Sequence, residues 1–289
     1  MSLPLVTIVL GTRPEAIKLA PVIRAFQQAE DFRTRVVLTG QHREMVAQVM
    51  ELFGIQADHD LALMAPKQTL THITCAALQG LQAEFEQHKP DLVLVQGDTA
   101  TALAGGVAAF MRRIPVGHVE AGLRTGSLEH PWPEEANRRM LAVVTKRHYA
   151  PTDASVQNLL REGTDPATVL NTGNTVIDAL LSISQRLDQE PEFTSKINAN
   201  LPDPTPGKRM ILVTGHRRES FGEGFENICT ALERIASRDD VEVIYPVHLN
   251  PNVRNIVHNR LGKLSNIHLI PPVDYASIVM LMKRAHLIL

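Results

Sequence analysis

The sequence predicts an α/β protein built from two parallel-sheet domains. Short β-branched apolar runs, such as residues 6–10 and 91–95, alternate with longer amphipathic stretches. That order makes a parallel sheet with helices on both faces. The rhythm breaks in a polar stretch at 188–208, which contains Pro191, Pro202, Pro204 and Pro206, and then restarts. A stretch of that composition marks a domain boundary. The length of 289 residues, 44% of them hydrophobic, is enough to bury two modest cores. The expected organisation is a first domain over 1–187, a linker over 188–208 and a partial second domain over 209–289.

Residues 6–10 read as the first buried strand. A turn and a helix over about 15–30 follow, where Pro21 lacks an amide donor and is expected to kink or restart the helix. Residues 35–39 give the next strand, and 43–53 a helix that Gly54 stops. Residues 69–88 form a long helix in which Leu70, Ile73, Ala77, Leu81 and Phe85 share one stripe. Pro90 breaks it before the apolar strand at 91–95. A helix over 99–112, a strand over 115–119 and a helix near 134–145 follow. After the linker come a strand over 209–214, a helix over 225–236 and a strand over 241–247. Residues 286–289 read as a strand with no helix after it, so the second domain reads as incomplete.

The chain carries 29 basic and 31 acidic residues, a net charge of -2. A general nucleic-acid binder would carry a basic surplus. An anionic ligand would need a local cationic cluster. Cys75 and Cys229 lie far apart in helical runs and supply no disulfide framework or zinc spacing, so both read as core thiols. No signal peptide is legible at the N-terminus, and no run reaches the roughly 18 apolar residues of a membrane span. A cytoplasmic location is expected.

Several strand ends carry candidate chemistry. Gly11-Thr12-Arg13-Pro14-Glu15, with Lys18 beyond it, places two cations near a helix N-terminus, where backbone amides favour anions. The bland reading is a capped turn with solvated cations. Asp98 ends the strand at 91–95 and could be a helix N-cap. Glu120 ends the next strand. Glu134 and Glu135 enter a helix after Pro131-Trp132-Pro133, where first-turn acids often serve only the helix dipole. Carboxylates converging on one cleft would raise one another's pKa and supply both an acid and a base. Gly215-His216-Arg217-Arg218 suits a diphosphate, since arginine offers a donor fork and histidine a proton. Asp58-His59-Asp60 has the composition of a metal-binding acidic pair, but it does not end an apolar strand. No metal site is expected.

These segments together resemble the non-hydrolysing UDP-N-acetylglucosamine 2-epimerases. The resemblance runs in order through residues 11–18, 41–45, 97–99, 118–126, 131–138, 172–180, 214–222 and 246–254, essentially the whole chain. It implies a GT-B architecture of two Rossmann-like domains with a nucleotide sugar in the cleft between them, usually as a homodimer. It also implies reversible conversion of UDP-N-acetylglucosamine to UDP-N-acetylmannosamine, a precursor of envelope polysaccharides, by elimination and re-addition of UDP without a cofactor. Asp98, Glu120, Glu134 and His216 match catalytic positions. Arg13 and Lys18 match ligand-binding ones, and Arg217 stands beside His216 to meet the diphosphate. Gln41, Glu44 and His248 match parts of a second, regulatory substrate site. Lys67 stands there where an arginine is common and lacks its bidentate fork.

Two departures leave alternatives open. Relatives continue past the strand at 285–289 into a loop and helices that grip the diphosphate and ribose, and Val273 and Ile278 replace residues that face the uracil. A shortened, impaired nucleotide-sugar-binding remnant is therefore the rival reading, with a GT-B glycosyltransferase or a hydrolysing epimerase behind it.

Overall fold

The computed structural model describes residues 3–41, 43–64, 68–215, 223–248 and 250–289. They form two compact units, Met1–Ala179 and Leu180–Leu289.

The first unit begins with β1 (Leu5–Leu10), α1 (Arg13–Gln28), β2 (Arg33–Leu38), α2 (Arg43–Phe53), β3 (His59–Asp60) and α3 (Leu70–His88). It continues with β4 (Leu92–Gln96), α4 (Ala100–Met111), β5 (Val116–Val119), α5 (Glu134–Val144), β6 (Arg147–Ala150), α6 (Asp153–Arg161) and β7 (Val169–Asn171). Helix α7 (Thr175–Gln189) runs from the first unit into the second. The seven strands are all parallel, in the order β3-β2-β1-β4-β5-β6-β7. Strand order reverses between β1 and β4, which opens a crevice at their carboxyl ends. All six residues of β1 are buried, as befits a central strand covered on both faces.

Helix α4 packs closely against β4 and α5 at two adjacent glycines. A Cβ on Gly106 would lie 2.3 Å from Leu141 Cδ1, and one on Gly105 would lie 2.9 Å from Val95 Cγ1. The core under it joins Val9, Val95, Leu81, Phe85 and Leu141.

The second unit contains α8 (Pro191–Asn198), β8 (Arg209–Leu212), α9 (Glu223–Ala236), β9 (Val241–Pro246), α10 (Pro251–Leu261), β10 (Ile267–Ile270), α11 (Tyr275–Arg284) and β11 (Leu287–Ile288). Its parallel sheet has the order β10-β9-β8-β11. A separate core forms around Tyr245, Phe225, Val243 and Val257.

Some expectations need adjusting. Helix α1 starts at Arg13 and passes through Pro21 without interruption. Cys229 is buried, but Cys75 is exposed on α3 and is no core thiol. The stretch 188–208 carries helix α8, and the compact units divide inside α7. Among the described residues no helix is long and apolar enough to cross a membrane.

Candidate functional site

In the first unit the polar side chains gather where β1, β4 and β5 end. Gly97 leaves β4 with φ of +73°, and Glu120 leaves β5 with φ of +66°. The left-handed region is uncommon for a residue with a Cβ. Gly97 has room to take it at no steric cost, whereas Glu120 is held there by its partners.

Four hydrogen bonds hold the Glu120 carboxylate. Lys18 Nζ lies 2.7 Å from both Oε1 and Oε2. The Gln96 side-chain amide donates to Oε2 at 2.5 Å, and Asn174 Nδ2 donates to Oε1 at 3.3 Å. Each partner is a donor, and they come from α1, β4 and the turn before α7. Lys18, expected as a ligand-binding cation, meets Glu120.

Asp98 lies on the other side of Gly97. Thr99, not Asp98, caps α4, accepting the Ala102 amide at 3.0 Å. The Asp98 carboxylate instead accepts from Arg138 Nη2. Its carbonyl accepts from Asn137 Nδ2 at 2.8 Å. The second terminal nitrogen of Arg138 donates to Glu135 at 3.3 Å. Glu135 is fully buried and also accepts the Thr125 amide at 3.1 Å and Arg139 Nε at 2.9 Å. Burial pushes the Glu135 carboxyl up, but the Thr125 amide and the two arginines outweigh it and hold it below the ordinary value. Glu135 is therefore more than a partner of the helix dipole. Asp98 and Glu120 each face a cation, Arg138 and Lys18 respectively.

Glu134 opens α5 with one oxygen, Oε2, buried and without a hydrogen-bond partner among the described residues. Two cis peptide bonds, His130–Pro131 and Trp132–Pro133, shape the loop before it.

The turn after β1 is capped, as its bland reading has it. Glu15 reaches back from the first turn of α1 and accepts the Gly11 and Thr12 amides at 2.9 and 2.7 Å. Its other oxygen takes the Thr99 hydroxyl at 2.5 Å. Burial pushes the Glu15 carboxyl up in pKa against those hydrogen bonds. Glu15 thus caps the two amides just before α1. Arg13, half-buried on the same turn, makes no hydrogen bond or ion pair among the described residues.

Of the expected regulatory positions, Gln41 accepts the Thr101 hydroxyl at 3.2 Å and Glu44 is exposed in the first turn of α2. His248, in the second unit, is exposed and accepts the Asn250 amide at 3.1 Å. Lys67, His216 and Arg217 lie outside the described residues. Asp58-His59-Asp60 is structural: Asp58 accepts the Val36 amide, Asp60 the Ala62 amide, and His59 meets Glu84. No cluster of three metal-ligating side chains occurs among the described residues.

Sequence reasoning assigned no role to Gln96, Asn137, Arg138 or Asn174. The available signal for Arg138 was helical spacing, one turn after Glu134 and three residues after Glu135. Chemically, the arrangement supplies carboxylates for proton transfer, and the donor that fixes Asp98 leaves part of it open. Asp98 Oδ1 accepts no hydrogen bond among the described residues.

The family model for UDP-N-acetylglucosamine 2-epimerase matches residues 24–289. The UDP-N-acetylglucosamine 2-epimerase of Escherichia coli (strain K12) is 54% identical over 282 residues, 97% of this chain and 75% of that protein. Among solved structures, UDP-GlcNAc 2-epimerase from Neisseria meningitidis bound to UDP-GlcNAc matches with a TM-score of 0.91 at 45% identity, covering 98% of this chain and 76% of that one. The S. aureus MnaA–UDP structure matches with a TM-score of 0.85 at 38% identity, over 99% of this chain and 74% of that one. The chain spans about three quarters of the length of these relatives. Its two parallel sheets are those of the GT-B-like epimerase structures.

Proposed function

Because the chain belongs to the UDP-N-acetylglucosamine 2-epimerase family, we propose that it interconverts UDP-N-acetylglucosamine and UDP-N-acetylmannosamine by inverting C2. A carboxylate takes the C2 proton while the C1–O bond to UDP breaks, giving 2-acetamidoglucal and UDP. Re-addition of UDP at C1, with a proton delivered to the opposite face of C2, completes the inversion. The cycle is redox-neutral, so it calls for no redox cofactor.

The C2 proton is weakly acidic, so its removal needs a positioned base coupled to departure of the leaving group. We assign Asp98 and Glu134 as the acid/base pair. Each has one oxygen not engaged by another described residue. Glu120, held by Lys18, Gln96 and Asn174, positions the sugar. Arg13, His216 and Arg217 meet the leaving diphosphate and stabilise its charge.

The observation that carries this reading is the pair of charge contacts at neighbouring strand ends, Lys18 with Glu120 and Arg138 with Asp98. The test is incubation with UDP-N-acetylglucosamine in deuterated water, followed at C2 by NMR. Deuterium at C2 of UDP-N-acetylmannosamine is the expected outcome. Free N-acetylmannosamine would point to hydrolysis, and an unchanged C2 would overturn the assignment. The epimerase names of the relatives give no support to the glycosyltransferase or remnant readings.

The same reading includes a homodimer. Phe110 and Met111 at the end of α4, with Val143 near the end of α5, are 53%, 74% and 84% exposed and line one groove. A contiguous apolar surface of that kind on a water-soluble fold calls for a partner, and a second copy of the chain meets it with the same residues.

A further inference from the structure

We propose that His118 is a positioning residue that aims Asp98 by holding the Gly97 carbonyl. The inference rests on the reading of Asp98 as an acid/base group.

His118 stands on β5 opposite Val95 of β4 and beside His148 of β6. It is 1% exposed, and its Nε2 lies 2.7 Å from the Gly97 carbonyl oxygen. A carbonyl can only accept, so Nε2 carries the proton and the ring is the Nε2–H tautomer. Nδ1 is then an acceptor, buried and without a partner among the described residues. Burial pushes the ring's pKa down to about 3; the Gly97 carbonyl opposes that, while His148, Arg124 and Arg138 add to it. The ring therefore stays neutral and donates throughout the working range.

The bond constrains the backbone where Asp98 leaves the sheet. The Gly97 amide donates to the Val119 carbonyl at 3.0 Å, and the Gly97 carbonyl takes the His118 proton. Both polar groups of this left-handed glycine are thus tied to β5. One peptide further on, the Asp98 carbonyl is held by Asn137. The backbone is clamped on both sides of Asp98, and Arg138 fixes its carboxylate from the front.

A buried histidine can be a satisfied core residue and nothing more. Here, however, the ring leaves one nitrogen unpaired, a cost an apolar side chain of similar size would avoid. The return on that cost is one hydrogen bond, made to the peptide that delivers Asp98.

The experiment compares His118→Leu, which fills the space without a donor, with His118→Gln, whose amide can still donate. Asp98→Asn is the control, and kcat, KM, melting temperature and C2 deuterium incorporation are measured on the full chain. His118→Leu should lower kcat by about 10–100-fold with little change in KM, the scale of a misaligned catalytic group. His118→Gln should recover most of that loss. A wild-type kcat in His118→Leu, or an equal loss in both variants, overturns the proposal. If His118→Leu does not fold, 15N-labelled histidine decides. An Nε2–H tautomer unchanged between pH 5 and 8 supports the proposal; an Nδ1–H tautomer or a titrating ring ends it. Exchange that persists in Asp98→Asn would instead remove the underlying reading of Asp98, separately from His118.

Discussion

The Lys18 ammonium lies 2.7 Å from both carboxylate oxygens of Glu120, across 102 residues of sequence. The contact joins the first helix of the sheet to a strand end on the far side of the strand-order reversal. It also defines what Glu120 can do. With Gln96 and Asn174 donating as well, this carboxylate is surrounded by donors and presents itself as an acceptor. Glu134, by contrast, keeps a buried oxygen unpartnered among the described residues.

Replacing Lys18 with methionine keeps most of its aliphatic stem and removes the ammonium. A charge-assisted hydrogen bond of this kind contributes about 1.5–3 kcal/mol. If Glu120 must be held in its left-handed conformation for turnover, kcat should fall by about 10–100-fold. Steady-state rates on UDP-N-acetylglucosamine check this. A loss confined to KM would return Lys18 to a substrate-binding role.

Arg138 offers a second, geometric test. One of its terminal nitrogens meets Asp98 and the other meets buried Glu135. A lysine has one nitrogen at the end of its stem and cannot serve both carboxylates in that geometry. Arg138→Lys should therefore behave like Arg138→Ala, with kcat down by at least about 10-fold. Recovery of activity in the lysine variant, measured in the same assay, would show that charge alone suffices.

The elements that position the site were legible because their residues leave little choice. Buried β1 and β4 read as apolar runs interrupted only by Thr7 and by the terminal Gln96, and Thr69, Gly54 and Pro90 punctuate the helices between them. Strand β6, with the sequence Arg-His-Tyr-Ala, and the two-residue β3 are too short and polar to show a period. Asp98 and Glu120 were legible as strand-end acids, but their partners were not. Arg138 lies 40 residues from Asp98, and Gln96 and Asn174 lie 24 and 54 from Glu120. Pairings at such distances are set by which helix lies over which strand end. At the turn after β1 the capped-turn reading fits, with Glu15 taking the Gly11 and Thr12 amides.

Away from the site, Glu84 should make the first unit sensitive to acid. Its carboxylate is 2% exposed and meets Arg35 at 2.5 Å and His59 at 2.6 Å. Burial pushes its pKa up, but Arg35, His59 and the charge of His88 outweigh it and hold it below 4.5. A lowered folded-state pKa means stability present above the unfolded value of 4.5 and lost as pH falls through the folded one. Glu84→Gln should cost about 3 kcal/mol at neutral pH, because it leaves Arg35 without its counter-charge. That corresponds to roughly 6–12 °C in melting temperature. The gap from the parent chain should narrow as pH drops from 4.5 to 3; a constant gap would remove the ionised carboxylate from the explanation.

Val143 tests the proposed dimer most cleanly, because it is 84% exposed and contributes little to its own fold. It lines a groove with Phe110 and Met111 on α4. In an interface related by two-fold symmetry each such residue occurs twice, so one aspartate places two charges in the same apolar contact. Val143→Asp should therefore shift the sedimentation coefficient from dimer to monomer at micromolar concentration. The melting temperature of the isolated monomer should change little, since surface substitutions usually stay within about 0.5 kcal/mol. A parent chain already monomeric at that concentration would overturn the proposed dimer, and an aspartate variant that still dimerises would move the interface away from α4 and α5. The first outcome would leave Phe110 and Met111 without an explanation, and the second would place the contact on another face of the first unit or in the second.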